Sequence, residues 1–326
     1  MLAVGPNGAG KTNLLEALHV ATQGFSPRTR SDTQLIRFGG AAARVSVSGR
    51  RGDVATSAEV TLRAVGGKSA TLNGTPLPSA ERLRAEISTL VFTPDRLGVL
   101  KGPPASRRAY LDRALARLSP TRAQLSADYG AAVAQRNASL RRIDAGLSSR
   151  AALDPWTEQV AELGAELVAA RVESLGLLGR PFAEHAAAFG LSGATLRYEG
   201  EPTTVDSLAA RLDRDLERGV TGAGPHLDDV AVDVGERSLR SFGSQGEQRL
   251  ALLALLLAEA ELLAERRGAS ALLLLDDVLS ELDPARRRIL VDRVAARGQA
   301  LITATDPAML PAEPDQLVEV SPGTAR

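Results

Sequence analysis

Residues 5–13 read Gly5, Pro6, Asn7, Gly8, Ala9, Gly10, Lys11, Thr12 and Asn13, and no other stretch limits the fold so tightly. Three glycines in six positions free the backbone to curl, so successive N–H groups can point at one anionic centre. The run fits G-x-x-x-x-G-K-[ST] without a mismatch. That pattern needs a strand before it and a helix after it. Both are legible: Leu2, Ala3 and Val4 form an apolar stub, and an amphipathic helix is expected from Lys11 to about Ala21. In such a loop all nine residues contact a nucleotide triphosphate. Lys11 reaches the β- and γ-phosphates, and the Thr12 hydroxyl belongs on Mg²⁺. The chain is therefore expected to be an α/β protein that binds a nucleotide triphosphate with Mg²⁺.

The other half of such a site lies near the far end. Residues 271–283 read ALLLLDDVLSELD, an apolar run of the kind a buried parallel strand requires. Its two aspartates fall at the C-terminal end, where open α/β sheets bind ligands. Asp276 is placed to support the metal, and Asp277 to orient or deprotonate the attacking water. Upstream, Ser244, Gln245, Gly246 and Glu247 open a helix with Leu250, Leu253, Leu256 and Leu257 at helical spacing. Ser244 suits an N-cap, and a helix start with Ser and Gly also suits an anion.

Composition narrows the class. The chain has 326 residues, 44% of them hydrophobic but only 3% aromatic, so the core must be built from Leu, Val and Ala. Basic and acidic residues balance at 39 each, so a polyanion would have to be met by a local patch. Lys11, Lys68 and Lys101 are the only lysines. This Arg bias, with the abundant Ala, lowers the weight of any single arginine. The absence of Cys excludes disulfides, thiolate metal sites and Cys nucleophiles. With no leader ahead of the phosphate loop and no run of the roughly 20 apolar residues that span a bilayer, a cytoplasmic protein is expected. Leu250 to Ala264, the longest candidate, carries Glu259 and Glu261.

The middle of the chain changes period twice. Val45 to Val47, Ala58 to Arg63 and Ala70 to Leu72 read as strands, closed by an Asn73-Gly74 hairpin turn. From about Ala105 the stripes become helical: Leu111, Leu115 and Leu118; then Leu125, Tyr129, Val133, Leu140 and Ile143; then Trp156, Val160, Leu163, Leu167, Leu175 and Leu178; then Leu208, Leu212 and Leu216. Ser119-Pro120 and Asp154-Pro155 supply start signals between them. The expected layout is a discontinuous head, residues 1–104 and 222–326, with a helical arm inserted at 105–221. Lys101, Arg107, Arg108, Arg136 and Arg141 form a basic region that charge alone assigns to no partner; they are the candidate DNA-phosphate contacts only by the resemblance given below. His226, with Asp228 and Asp229 beside it, is expected to be a structural turn, since one tight loop rarely supplies three metal ligands.

The residues 244–247 resemble the signature motif of ABC-type ATPases. In that class the motif touches the γ-phosphate bound to the opposite protomer. Ser280 and Asp283 then fall in a dimer-contact loop. Thr303, Thr305 and Asp306 follow the next strand at the switch position, where transporter-type members usually carry His. Residues 5–39, 90–112, 224–230 and 272–283 resemble, in order and spacing, four blocks of the RecF family of bacterial recombination mediators. The resemblance covers essentially the whole chain. It implies an ABC-type P-loop ATPase head with an inserted helical arm and a weak ATPase used as a switch. It also implies an ATP-dependent homodimer that clamps duplex DNA or a single-strand/double-strand junction at gaps. Partnership with RecR and RecO in loading RecA follows, and no membrane partner. Two departures accompany it. Only four residues precede the phosphate loop, so either the start codon is misassigned or strands the family has are missing. And no Gln stands in residues 90–95, where ABC proteins keep a γ-phosphate sensor. The other readings of the same motifs are a transporter ATPase subunit and a non-hydrolysing SMC-like structural protein.

Overall fold

A computed structural model describes the whole chain except Arg30, Gly52 and the side chain of Arg51. The strands are β1 (Leu2–Val4), β2 (Ala42–Arg51), β3 (Val54–Arg63), β4 (Lys68–Leu72), β5 (Thr75–Pro76), β6 (Thr89–Phe92), β7 (Ala194–Glu199), β8 (Asp229–Val234), β9 (Arg237–Ser238), β10 (Leu272–Leu275), β11 (Ala300–Ala304), β12 (Leu317–Ser321) and β13 (Thr324–Ala325). The longer helices are α1 (Lys11–Gln23), α2 (Pro104–Leu118), α3 (Leu125–Asp144), α4 (Asp154–Ala188), α5 (Leu212–Arg218), α6 (Gln245–Arg267) and α7 (Pro284–Ala295). They form two compact units, Met1–Arg96 with Leu256–Arg326, and Leu97–Leu255.

The first unit is built on a six-stranded sheet in the order β13-β12-β1-β11-β10-β6. Every pairing is parallel except β12 with β13. The Leu-rich run at 272–275 becomes a central strand because a strand covered on both faces must be apolar at every position. Ala3, Leu15, Val91, Leu274, Leu301 and Val320 fill one core of this sheet. A second, antiparallel sheet in the order β2-β3-β4-β5 packs a separate core. There β3 alternates as a half-buried strand should, with Ala58, Val60 and Leu62 inward. Asn73 and Gly74 both take positive φ, at 51° and 79°, and turn β4 into β5 as the sequence requires.

In the second unit α3 and α4 pack along the expected stripes. Leu115, Leu125, Tyr129, Val133, Val160, Leu167 and Leu208 share one core. The last stripe is broken: residues Val205–Ala209 form one short helix and Leu212–Arg218 another. The compact unit is also wider than the 105–221 arm. β8 pairs along its whole length with β7, from Ala194 opposite Val234 to Glu199 opposite Asp229, and that ladder draws the returning chain onto the helices. The 244–247 segment therefore lies within the Leu97–Leu255 unit.

Candidate functional site

The phosphate loop leaves β1 and closes on itself. The Ala9 N–H donates to the Pro6 carbonyl, and Gly8 and Gly10 take φ of 82° and 107°, which other residues resist. Gly5 is needed for a different reason, because a Cβ there would collide with the Val320 carbonyl of β12. Helix α1 begins at Lys11 with Gly10 as N-cap, and no side chain caps its first turn. Its early N–H groups and the positive end of its dipole thus face the loop, an arrangement suited to an anion. The Lys11 ammonium donates to the carbonyls of Gly5 and Pro6 at 2.7 and 3.0 Å, folded across the loop it serves.

The sheet brings the far end of the chain to this loop. The Thr12 hydroxyl donates to the Asp276 carboxylate, at 2.9 Å to Oδ2 and 3.2 Å to Oδ1. Asp276 is buried; Asp277 is half-buried and takes a positive φ of 47°. A left-handed aspartate is uncommon and marks a residue held by its surroundings. The hold comes from Thr303 on β11, which is fully buried. Its Oγ1 accepts the Asp277 N–H at 2.9 Å and donates to Asp276 Oδ1 at 2.7 Å. The sequence places Thr303 with Thr305 and Asp306 in one group, but the structure separates them. Both others are exposed beyond the strand; Asp306 caps a short turn through the Ala308 N–H, and Thr305 reaches Met309. Thr12 and Asp276 offer an alcohol and a carboxylate, the hard oxygen donors that Mg²⁺ takes, so these residues fit the implied metal.

The dimer-contact residues have local roles in the single chain. Asp283 is the N-cap of α7, accepting the Arg286 N–H at 2.9 Å, and Ser280 donates to the Asp277 carbonyl at 3.0 Å. In the second unit, Ser244 and Glu247 form a reciprocal capping box at the start of α6. The Glu247 N–H donates to Ser244 Oγ at 3.2 Å, and the Ser244 N–H to Glu247 Oε2 at 2.8 Å. That Ser244 N–H, with the Ser244 side chain, holds the Glu247 carboxyl below its ordinary range. Ser244, Gln245 and Gly246 are all exposed.

The basic set divides sharply. Arg107 is buried and grips Asp229 with two bonds of 2.6 and 2.7 Å, its third nitrogen capping the Leu100 and Gly102 carbonyls. Burial alone would raise the Asp229 carboxyl, but Arg107, the Val230 N–H and Arg240 outweigh it and hold it low. Arg136, 1% exposed, pairs with Asp215 at 2.8 Å and with the Thr221 hydroxyl at 2.9 Å. These two arginines are spent inside the unit and cannot meet a DNA phosphate, which corrects the expectation for both. The compensated buried pair is the only economical way to place such a charge. Arg108 is half-buried and donates to the Asp228 carbonyl. Lys101 and Arg141 remain exposed, with Arg141 donating to the Gly219 carbonyl at 3.2 Å.

His226 is a structural turn, as expected. Its Nδ1 meets the Tyr129 hydroxyl at 2.7 Å and its Nε2 the Thr221 carbonyl at 3.0 Å, and burial pulls its pKa down. Asp228 accepts the Tyr198 hydroxyl at 2.6 Å. Among the described residues no group of three His, Asp or Glu could hold a metal, and no helix is long and apolar enough to cross a membrane.

The model for the RecF/RecN/SMC N terminal domain family matches residues 1–325. The DNA replication and repair protein RecF of Symbiobacterium thermophilum is 38% identical over 323 residues, covering 93% of this chain and 84% of that protein. Its counterpart in Anaeromyxobacter sp. (strain K) is 39% identical over 325 residues, 93% and 85% of the two chains. A solved structure of the recombination mediator protein RecF with ATP superposes with a TM-score of 0.87 at 27% identity, over 100% of this chain and 90% of that one. The Smc head domain of Pyrococcus furiosus, at 19% identity and a TM-score of 0.57, shares the fold.

Proposed function

Since the chain belongs to the RecF family of DNA replication and repair proteins, with an ABC-type ATPase fold, we propose that it is an ATP-switched clamp that closes as a homodimer on DNA. The observation that carries this reading is the Thr12–Asp276 contact, because it joins a phosphate loop and an acidic strand end into one nucleotide site. Similarity to RecF along nearly the whole chain leaves a transporter subunit or a purely structural ATP binder without support.

In this reading residues 5–13 wrap the triphosphate with backbone N–H groups, and the Lys11 ammonium leaves the Gly5 and Pro6 carbonyls for the β- and γ-phosphates. Thr12 and Asp276 would hold Mg²⁺, whose charge would offset that of the phosphates. Ser244 and Gly246 of one protomer reach the γ-phosphate on the other, with Gln245 and Glu247 shaping that turn, while Ser280 and Asp283 line the contact between protomers. The functional head then comprises residues 1–104 and 222–326, including the 244–247 segment that packs with the helices. Asp277 takes the proton of the attacking water. Because most ABC-type ATPases carry the longer Glu in this slot, turnover is slow and times the clamp's release. ATP drives closure through its higher affinity for the closed dimer. The DNA contact is to phosphates, from Lys101, Arg108 and Arg141, and is independent of sequence. A gap junction is the target, and RecO, RecR and RecA are the partners, in the cytoplasm.

Light scattering tests this reading, with MgATP against MgADP on a short gapped duplex. Protein mass should double with ATP only, and Lys11→Ala should stay monomeric. Asp277→Asn should slow hydrolysis about 10²-fold or more, the usual contribution of a general base, and lengthen the life of the ATP-bound dimer. A variant that dimerises no longer than wild type would remove Asp277 from the role.

A further inference from the structure

The strand order makes one residue a neighbour of both aspartates, through the side chain of one and the backbone of the other. β1 carries the phosphate loop and β10 the acidic pair, and they are not adjacent: β11 runs between them. Ala3 of β1 lies beside Thr303, and Leu275 of β10 beside Ile302, so Asp276 follows its strand out at the level of Thr303. The side chain at position 303 therefore stands between the loop strand and the acid strand.

We propose that Thr303 is the positioning residue of the ATPase site, its single hydroxyl setting the direction of Asp276 and the backbone of Asp277 together. This rests on the functional reading above. Three observations carry it. The hydroxyl gives its one proton to Asp276 Oδ1 at 2.7 Å, and its lone pair takes the Asp277 N–H at 2.9 Å. The residue is 0% exposed, so no solvent can substitute for either bond. And Asp277, the partner on the accepting side, takes φ of 47°, a conformation that costs free energy and needs such an anchor.

The division of donors gives the mechanism. Thr12 and Thr303 both donate to Asp276. The Thr12 hydroxyl sits on the phosphate loop and would also offer a lone pair to Mg²⁺, so its bond to Asp276 is tied to the state of that loop. The Thr303 proton is independent of the loop and keeps the carboxylate from rotating. On the other side, losing the Asp277 N–H acceptor would free that peptide from its left-handed turn and let the Asp277 carboxylate drift from the water. One missing hydroxyl should thus weaken metal holding and hydrolysis at once. Partners one shell out from a metal commonly control affinity or activity in this way.

Thr303→Val keeps the shape and removes the hydroxyl; Thr303→Ser keeps the hydroxyl. The first readout is calorimetric titration of ADP with Mg²⁺ and with EDTA, which needs no turnover. Thr303→Val should lose about tenfold of the Mg²⁺-dependent gain in ADP affinity, while affinity in EDTA stays within about twofold, and kcat should drop by roughly 10–100-fold. Thr303→Ser should stay within about threefold of wild type in both, since it retains the two hydrogen bonds. Thermal unfolding checks that each variant folds; if Val does not, Ser against Ala makes the same comparison. The inference is overturned if Thr303→Val matches wild type in Mg²⁺ dependence and kcat. It is equally overturned if Ser is as damaged as Val or Ala, because packing and not the hydroxyl would then be responsible. If wild type itself binds ADP without regard to Mg²⁺ and hydrolyses no more ATP than Lys11→Ala, the nucleotide-switch reading fails first.

Discussion

Two groups of polar residues show how the partner a side chain holds changes its meaning. At the strand ends of the first unit, Lys11, Thr12, Asp276 and Asp277 converge; Lys11 meets backbone carbonyls, and the Asp276 carboxylate and the Asp277 N–H meet hydroxyls. Such partners can be exchanged for a ligand at little cost. In the second unit, Arg107, Arg136 and Arg171 each meet a carboxylate under a nearly closed surface. These pairs cannot be opened without leaving a buried charge uncompensated. The first set can switch partners; the second fixes the architecture.

The sharpest way to break this contrast is Arg136→Ala. It should destabilise the protein by about 3–5 kcal/mol by orphaning Asp215, read as a drop in unfolding midpoint in denaturant. A near-neutral result would mean that the pair is not closed to water. Lys11→Ala should do the reverse, reducing ATP hydrolysis by roughly 10²–10³-fold, as expected for loss of one preorganised charged donor. Its denaturation curve should barely move, since its present bonds are to two loop carbonyls. Ser244→Ala lies between the classes. Loss of the cap should cost about 1 kcal/mol, and the variant should also fail to form the ATP-dependent dimer; stability loss with normal dimerisation would leave Ser244 as a cap alone. Arg141→Ala, at an exposed site, should change stability by less than about 0.5 kcal/mol. It should lower the salt slope of DNA binding by about one, and an unchanged slope would remove it from the interface.

The smallest effect concerns pH. Burial lowers the His226 pKa in the folded state, so the unfolded chain takes up the proton first. Stability from this residue is present above about pH 6.5, the ordinary His value, and is lost as pH falls through it. The thermal midpoint should therefore decline more steeply between pH 7 and 5 in wild type than in His226→Gln. Equal slopes would show that the Tyr129 and Thr221 contacts do not keep the ring neutral.

Much of the site was legible because its chemistry demands particular residues at fixed local spacing. A phosphate loop needs glycines at positive φ and a Lys-Thr pair at the helix start, and an acidic strand end needs an apolar run before it. The helical stripes were legible for the same reason, as periodicity is a local property. The arginines were not. Nothing in the spacing of Arg107 or Arg136 separates them from Arg141, and the carboxylates that claim them lie far along the chain at Asp229 and Asp215. Nor did the sequence separate Thr303 from Thr305, which differ only in which side of a strand end they occupy.

The sequence by itself determined the phosphate-loop pattern at residues 5–13 and the apolar strand ending in aspartates at 276 and 277, because backbone conformation and strand burial dictate those residue types directly. Only the tertiary structure decided which strand lies between those halves, and so that Thr303 stands against the Asp276 carboxylate and the Asp277 N–H. It alone decided, too, which arginines are spent in the interior. Strand order and long-range ion pairing depend on contacts between residues tens to hundreds of positions apart, and no local pattern encodes them.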